Sequence, residues 1–326
     1  MRKIRIGLIG VGRHFEENII PALKLNTNVL IEGVYSSQNE KLQLLAYKHN
    51  IKNTTSDWRE LVESKTIDCV FVAGSPSFHK EVVFFCVNKK MPFFVEKPPL
   101  NKLNDFEYLE NKSAPLNFVG YNFRYASLYR DFVKYMQKQA DIVSSHIVFV
   151  SNKPRVLFWD KETILESYLF AVGIHPIEMM CAQFGNYKKI NIAFSQITTK
   201  TFMLDLQLFF ENGKKASLHL GNYSNKLDYH LEIINEEGVV GKMSNMSEVL
   251  IYHRDEFEFN QKENRAYTVS GTTGGYQNSG YQNEIDEFIE SLANCDKKTT
   301  SDIFNSKQVY NIIEEILSKI KEHNGD

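Results

Sequence analysis

Short apolar runs alternate with amphipathic stretches through the first third of the chain. The runs that predict buried strands cover residues 3–9, 29–35, 68–73, 92–95 and 116–120. Helical periodicity between them predicts helices over residues 16–25, 40–49 and 77–89, and Asp57 is typical of the N-cap of a further helix. Strands separated by helices at this spacing predict a doubly wound parallel sheet.

The pattern changes beyond residue 141, where polar and apolar residues alternate with a period of two. These segments cover residues 145–150, 189–198, 202–211, 216–223, 228–235 and 248–254. Asn212-Gly213 between two of them is a strong signal for a hairpin turn. The alternation predicts a mostly antiparallel sheet in a second domain.

Helices are predicted around this second sheet. One covers residues 163–184, two close the chain at 281–294 and 301–321, and the composition of residues 270–280 predicts a loop. We therefore predict an α/β protein with a parallel-sheet domain, residues 1–121, followed by an α+β domain, residues 122–326. The C-terminal helices are free to pack back on the first domain.

Composition narrows the class of protein. The chain has 326 residues, of which 43% are hydrophobic and 24% charged, as expected for a soluble protein of two domains. Its 38 basic and 40 acidic residues give a formal net charge of -2, which indicates neither a nucleic-acid nor a membrane partner. No apolar run approaches the about 20 residues that span a bilayer, and the start is interpreted as a strand rather than a signal peptide.

The cysteines indicate the compartment. The four of them lie far apart with no paired spacing, so neither a disulfide framework nor a metal site is predicted. Free thiols fit a reducing environment, and we expect a cytoplasmic protein with a small-molecule substrate.

Residues 91–99, Met-Pro-Phe-Phe-Val-Glu-Lys-Pro-Pro, carry the most specific chemical signal. An apolar run stops at Glu96-Lys97, and the two prolines that follow cannot continue a strand. Open α/β sheets bind their ligands at the carboxyl ends of the strands, so Lys97 is predicted to lie beside a ligand. A solvated lysine at a strand end is the alternative.

A glycine pair follows the first strand. Gly10 would allow a tight turn, and Gly12 would let the backbone approach a pyrophosphate at a helix N-terminus. The third small position of the dinucleotide fingerprint is occupied by Phe15, so the fingerprint is incomplete. A glycine-rich turn without a ligand is the alternative.

The end of the second strand bears on the choice of cofactor. Ser36 stands where a carboxylate would bind the ribose 2′-hydroxyl and repel a 2′-phosphate. The absence of a carboxylate at this position favours NADP over NAD. The candidate phosphate contacts are Ser36, Ser37, Lys41 and Arg13.

These motifs together resemble the Gfo/Idh/MocA family of sugar and cyclitol oxidoreductases over essentially the whole chain. The marks are Gly7–Gly12, Pro21-Ala22-Leu23, Ser75-Pro76 with His79, Glu96-Lys97-Pro98, Gly120–Tyr125, and Gly173-Ile174-His175. The resemblance implies a Rossmann domain followed by an open-faced sheet, with the active site between them. It also implies a homodimer or homotetramer formed through the outer face of the C-terminal sheet.

The resemblance further implies roles for single residues. Lys97 would contact both the substrate and the nicotinamide ribose, and His175 would be the acid/base. The aspartate that the family often carries four residues before the histidine is Ala171 here, and Glu178 would orient the imidazole in its place or be a solvated helix residue.

Further candidates surround these two catalytic residues. The predicted cofactor contacts at the strand ends are Ser75, His79, Glu96 and Lys97, and the predicted substrate contacts are Asn122, Arg124, Tyr168 and Glu178. Each of three candidates has a structural alternative. His79 would also fit a helix-capping or packing role, Arg124 an ion pair at the domain junction, and Tyr168 a place in the core.

The function predicted is hydride transfer between NAD(P) and a carbon–oxygen centre of a sugar, cyclitol or nucleotide-linked sugar. Reduction of a C=N or C=C bond in a biosynthetic intermediate is a second reading, motivated by Ala171. A regulatory nucleotide-binding protein that has lost catalysis is a third, motivated by Ala171 and Phe15.

Overall fold

The computed structural model describes residues 2–253, 263–268, 278–294 and 299–324 of the chain. They form two compact units. Unit 1 comprises Met1–Asn122 and Gly274–Lys307, and unit 2 comprises Phe123–Thr273 and Gln308–Asp326. The chain thus changes unit one residue beyond the predicted boundary, and a C-terminal segment belongs with the first unit.

The strands and helices of the described residues are as follows. The strands are β1 Ile4–Ile9, β2 Val29–Tyr35, β3 Asn53–Thr55, β4 Cys69–Val72, β5 Phe93–Glu96, β6 Asn117–Gly120, β7 Ile142–Val150, β8 Tyr187–Thr198, β9 Thr201–Phe210, β10 Lys215–Gly221, β11 Asp228–Asn235, β12 Val240–Ser244, β13 Glu248–Tyr252 and β14 Glu263–Thr268. The helices are α1 Ile20–Leu25, α2 Asn39–His49, α3 Trp58–Glu63, α4 Pro76–Lys89, α5 Asp105–Glu110, α6 Ser127–Gln139, α7 Ile164–Tyr168, α8 Ile174–Phe184, α9 Tyr281–Ala293 and α10 Asn305–Asn324.

Unit 1 contains a parallel sheet of six strands in the order β3-β2-β1-β4-β5-β6. Every residue of β4 and β5 is buried, which explains their uninterrupted apolar sequence. The chain reverses its direction of strand addition between β1 and β4. This is the switch point at which such sheets bind ligands beyond their carboxyl ends.

An aromatic cluster explains why a C-terminal segment belongs to unit 1. Phe71, Phe94 and Phe118 stand on the adjacent strands β4, β5 and β6, with ring centroids 4.8 and 5.5 Å apart. Phe288 of α9 packs against all three at 5.6 to 6.1 Å. Buried aromatic rings contribute large apolar areas, so α9 is part of this core.

Unit 2 contains an eight-stranded sheet in the order β14-β13-β12-β11-β7-β10-β9-β8. Its pairs are antiparallel except β7 with β10. Along β9, Leu204, Leu206 and Leu208 are buried, whereas Asp205 and Gln207 are exposed. One face of the sheet therefore packs on a core and the other is polar, as the alternation predicts.

Helices α7 and α8 are joined by the π-helical segment Leu169–Gly173 into one helix over residues 164–184, as predicted. By length and composition this helix would also be able to cross a membrane, so the expectation that no apolar run reaches that length was too strict. Because 72% of its apolar window is buried in the protein, it is a core helix of unit 2.

Most predicted elements are found within one to three residues of their expected bounds. The hairpin at Asn212-Gly213 is confirmed, and Gly213 has the positive φ of +82° that this turn needs. Strands β3, β12 and β14 and helices α5 and α6 were not predicted. Of the loop predicted over 270–280, residues 270–277 lie outside the described residues.

Candidate active site

The turn after β1 fits a dinucleotide. Gly10 has φ +82°, and a Cβ there would lie 1.9 Å from the carbonyl oxygen of Ala73 at the end of β4. A Cβ on Gly12 would have no atom within 4 Å, so open space adjoins its backbone. Gly10 is thus required by the turn, while Gly12 leaves the room that a pyrophosphate needs next to a helix start.

The helix after this turn begins with an unusual geometry. Phe15, which replaces the third small residue of the fingerprint, is fully buried and starts a π-helical segment that continues to Ile19. α1 follows directly, with Pro21 in its first turn. The aromatic ring is accommodated in the core of unit 1, so it does not occupy the space beside Gly12.

The predicted 2′-phosphate contacts are accessible but lack a preformed cation cluster. Ser36 is half-buried after β2, and its hydroxyl accepts a hydrogen bond from the backbone N–H of Gln38 at 3.2 Å. Ser37 and Lys41 are exposed. Arg13 is 88% exposed and pairs with Glu17 at 2.7 Å, one turn along its own helix. This loop accommodates a phosphate without selecting it by itself.

Glu32 is excluded as the ribose ligand. Its carboxylate accepts a hydrogen bond from the side-chain amide of Asn53 on β3 at 2.9 Å. It lies within β2, upstream of the strand end where the ribose would lie.

The turn between β4 and α4 is held together by two side chains. Ser75 is the N-cap of α4, because its hydroxyl accepts a hydrogen bond from the backbone N–H of Phe78 at 3.3 Å. His79 is buried, and its Nε2 accepts from the N–H of Gly74 at 2.7 Å, while its Nδ1 lies 2.8 Å from the carbonyl oxygen of Pro98.

The protonation state of His79 follows from these contacts. A backbone N–H only donates, so Nε2 must be bare and Nδ1 must carry the proton that Pro98 accepts. Burial lowers the pKa of His79 to about 4. His79 is therefore a neutral brace between α4 and the segment after β5 and does not itself face a ligand, which favours the packing role over the predicted cofactor contact.

Lys97 follows β5 directly and is half-buried. The preceding residue, Glu96, ends the strand with its carboxylate buried, and its Oε1 lies 3.3 Å from Nε2 of His14. Since His14 lies two residues beyond Gly12, this contact shows that the glycine turn and the start of the Lys97 segment share one edge of the sheet.

In unit 2, a buried ion pair links two of the predicted substrate contacts. Arg124 Nη1 lies 3.1 Å from Glu178 Oε1, and the two side chains are 15% and 6% exposed. Burial raises the pKa of Glu178, and the positive charge of Arg124 offsets only part of that effect. The ion-pair alternative for Arg124 is thus observed, and Glu178 is not a solvated helix residue.

The ring of His175 makes an aromatic contact that was not predicted. It stacks on Phe123, with centroids 4.5 Å apart and planes at 26°. His175 lies in the first turn of α8 and is 7% exposed, and Ala171 lies in the π-helical segment before it. Phe123 had no predicted role, although it stands inside the quoted motif at residues 120–125.

Two predicted substrate contacts have structural roles. Tyr168 is fully buried. Its hydroxyl donates a hydrogen bond to the carbonyl oxygen of Phe149 at 2.9 Å and accepts one from the N–H of Gly221 at 3.1 Å. Asn122 is 3% exposed and its side-chain amide donates to the carbonyl oxygen of Ser279 at 2.8 Å. These contacts favour packing roles for both residues, and their contact with a substrate stays a prediction.

No metal centre is found in the described part of the chain, where no group of three or more His, Cys, Asp or Glu side chains is arranged to hold an ion. The described cysteines, Cys69, Cys86 and Cys181, are buried free thiols. Residue 295, the fourth cysteine, lies outside the described residues.

Comparison with known proteins agrees with this geometry. Residues 4–114 match the sequence profile of the oxidoreductase family with an NAD-binding Rossmann fold, Gfo/Idh/MocA. Myo-inositol 2-dehydrogenase of Thermotoga maritima is 27% identical over 157 residues, which are 46% of this chain and 45% of that protein. The match thus spans less than half of that relative.

Solved structures match over the full length. A dehydrogenase from Chromobacterium violaceum superimposes with a TM-score of 0.91 at 20% identity, covering 100% of this chain and 97% of that one. Levoglucosan dehydrogenase in complex with NADH and L-sorbose gives a TM-score of 0.83 at 16% identity, covering 99% and 98%. Residues 4–114 are thus similar to the Gfo/Idh/MocA family of NAD-binding oxidoreductases, and the whole chain shares the fold of solved dehydrogenases.

Proposed function

We propose that this protein transfers a hydride between NAD(P) and a carbon–oxygen centre of a sugar, cyclitol or nucleotide-linked sugar. The observation that carries the proposal is the shared sheet edge, where a glycine turn open at Gly12 stands beside the strand end that presents Lys97. The names of relatives that act on inositol and levoglucosan support the substrate class.

The residues have separable tasks in this reaction. A bound nicotinamide supplies the hydride acceptor or donor. The Lys97 ammonium stabilises negative charge on the reacting oxygen, and the His175 imidazole takes or gives the proton of that oxygen. Arg124, held by Glu178 in unit 2, is kept as a candidate contact for a polar substrate group.

A pair of lysine variants tests the catalytic role. Lys97→Ala should lower kcat by about a hundredfold or more while NADPH still binds, because an oxyanion-stabilising group acts mainly in the transition state. Lys102→Ala, at an exposed position five residues on, is the matched control and should keep wild-type turnover. Unchanged turnover of Lys97→Ala would remove Lys97 from the mechanism.

The role of His175 is tested in the same assay. His175→Asn removes the titratable group, so turnover should fall and lose its dependence on pH near neutrality. Retention of the wild-type pH profile by this variant would remove His175 as the acid/base.

We further propose that NADP is preferred over NAD, because no carboxylate follows β2 at Ser36. Ser36→Asp should reverse the preference, since a carboxylate repels a 2′-phosphate and accepts a hydrogen bond from a 2′-hydroxyl. Dissociation constants for NADPH and NADH, measured by the fluorescence of the bound cofactor, check this. Tighter binding of NADH than NADPH by the unmodified protein would contradict the preference.

A substrate panel decides between this function and its alternatives. Absorbance at 340 nm that changes with sugars or cyclitols supports the proposal. Turnover of imines or activated alkenes alone would indicate the biosynthetic reductase, and cofactor binding without any turnover would indicate a regulatory protein.

The polar face of the sheet in unit 2 supports a proposal on assembly. Asp205 and Gln207 are exposed on the face opposite the buried leucines of β9. We propose that a homodimer or homotetramer forms through this face, in the cytoplasm. Light scattering coupled to size-exclusion chromatography measures the molar mass, and a monomer at micromolar concentration would contradict the assembly.

A further inference from the structure

His14 lies where three segments of unit 1 meet. It follows Gly12 by two residues and directly precedes the helical segment that begins at Phe15. Its Nε2 is 3.3 Å from Glu96 Oε1, and its ring is edge-on to Tyr281 of α9, with centroids 5.4 Å apart and planes at 67°. One imidazole thus connects the glycine turn with the end of β5.

The Glu96 carboxylate occupies a confined position. Its side chain is 7% exposed, and the residue opposite it on β6 is Gly120. A Cβ on Gly120 would lie 3.2 Å from Glu96 Oε1, so the glycine leaves the room that the carboxylate uses. A buried carboxylate at such a position requires a nearby positive charge or hydrogen-bond donors.

His14 is the principal counter-charge of Glu96. Burial alone would raise the pKa of Glu96, but the positive charge of His14, followed by that of Lys97, lowers it. His79 also lies near, but with a pKa of about 4 it is neutral at physiological pH.

The surroundings of His14 favour its protonated form. Burial lowers the pKa of His14 and the Lys97 charge opposes protonation, but the negative charge of Glu96, aided by Glu17, raises it overall. The other groups that face the ring are Tyr281 and Asn18, whose amide nitrogen lies 3.4 Å from Nδ1. Because this amide nitrogen only donates, it opposes protonation of Nδ1 unless it turns away.

We infer that His14 is a positioning residue whose imidazolium holds Glu96, and with it the start of the Lys97 segment, against the Gly10–Gly12 turn, so that dinucleotide binding depends on the protonation of His14. The inference rests on the cofactor site proposed above. Loss of the proton removes the positive charge that His14 places beside the buried carboxylate. A cation at the turn also favours the anionic pyrophosphate.

The direction of the pH effect follows from linkage. A group whose pKa is raised holds its proton at low pH, so dinucleotide binding is tightest below the pKa of His14 and weakens as pH rises through it. The ion pair of a partly exposed imidazolium with a buried carboxylate should change the dissociation constant by about fivefold.

Titration of NADH binding from pH 5.5 to 9, followed by cofactor fluorescence, tests the inference. His14→Gln keeps an N–H donor without a charge and should show the weaker, high-pH dissociation constant at every pH. His14→Arg keeps a permanent charge and should bind tightly throughout. Glu96→Gln removes the carboxylate that the imidazolium holds, so the pH dependence of binding should shrink and its midpoint should move to lower pH. His49→Gln, a histidine on α2 in the same unit, is the control and should keep the wild-type profile.

A second measurement needs no variant that might misfold. By reciprocity, NADH saturation of the wild-type protein should raise the pKa of His14, followed by its imidazole NMR signal, by about 0.7 units for a fivefold effect. An unchanged His14 pKa on saturation, or a wild-type midpoint retained by His14→Gln, would overturn the inference. Failure to find any turned-over substrate, with these binding results intact, would overturn the proposed reaction and leave the role of His14 standing.

Discussion

Replacing His79 tests whether the structure correctly assigns it as a neutral brace behind Lys97. The ring accepts from the N–H of Gly74 and donates to the carbonyl oxygen of Pro98, and only the second contact is fully buried, because Gly74 is exposed. His79→Leu removes both contacts and leaves the buried carbonyl of Pro98 unsatisfied, while the N–H of Gly74 can turn to water. His79→Gln places its amide oxygen near the position of Nε2 and retains the Gly74 contact, whereas His79→Asn places its amide nitrogen near Nδ1 and retains the Pro98 contact.

The expected loss comes mainly from the buried carbonyl of Pro98. An unsatisfied buried group costs about 1 to 3 kcal/mol, so His79→Leu and His79→Gln should each lower the free energy of unfolding by about that amount, and His79→Asn, which retains this contact, by less. Urea titration followed by circular dichroism at pH 7 measures these differences.

The dependence on pH gives an independent check. Because burial lowers the pKa of His79 to about 4, the unfolded chain takes up a proton before the folded one does. This histidine therefore makes the folded state lose stability as pH falls from its unfolded pKa towards 4. Between pH 7 and 4.5 the loss amounts to about 2 kcal/mol, and the difference between wild type and His79→Gln isolates it from other titrating groups.

Two results would refute this reasoning. One is a His79→Leu variant within 0.5 kcal/mol of the wild type at pH 7, a margin of about the effect of an ordinary surface substitution. The other is an equal pH dependence of unfolding in wild type and His79→Gln, which would show that the ring already takes up its proton in the folded state.

Two further substitution pairs have distinct expected outcomes. Gly10→Ala should abolish soluble expression or NADH binding, because its Cβ would clash with the carbonyl oxygen of Ala73. Gly12→Ala should keep wild-type thermal stability and lose NADH affinity. Equal stability of the two variants would contradict this expectation. Glu178→Leu removes the carboxylate that pairs with Arg124 and should cost about 3 to 5 kcal/mol in urea unfolding, while the double variant with Arg124→Met should cost less; a double variant worse than Glu178→Leu would contradict it.

The sequence predicted most strands of unit 1 because parallel strands buried on both faces are uninterrupted apolar runs. Strand β3 was not predicted, because its sequence Asn-Thr-Thr is polar and it has only three residues at the edge of the sheet. Helix α6 carried a usable signal, since Tyr129, Phe132 and Met136 are buried at helical spacing. This helix was not predicted. It begins two residues after the motif at 120–125, at the predicted domain junction.

The candidate site was predictable only where its chemistry is local. Gly10, Gly12 and Lys97 follow strands that were themselves predicted, so their place at the carboxyl edge followed directly. The contact between His14 and Glu96 joins the segment after β1 to the end of β5, and it requires the order β1-β4-β5, which the sequence does not specify. The hydrogen bonds of His79 to Gly74 and Pro98 depend on the path of the chain after β5. They too could not be predicted from the sequence.

Ala171 stands where an aspartate was expected, and the stacking of His175 on Phe123 leads to a last prediction, because this contact restricts the plane of the imidazole. Phe123→Leu keeps the apolar volume but loses the flat face, so the imidazole should sample other orientations and kcat should fall by about tenfold to a hundredfold with the NADH dissociation constant unchanged. Phe194→Leu, in a ring pair on the sheet of unit 2, is the matched control. Equal kcat values for the two variants would show that stacking on Phe123 does not orient His175.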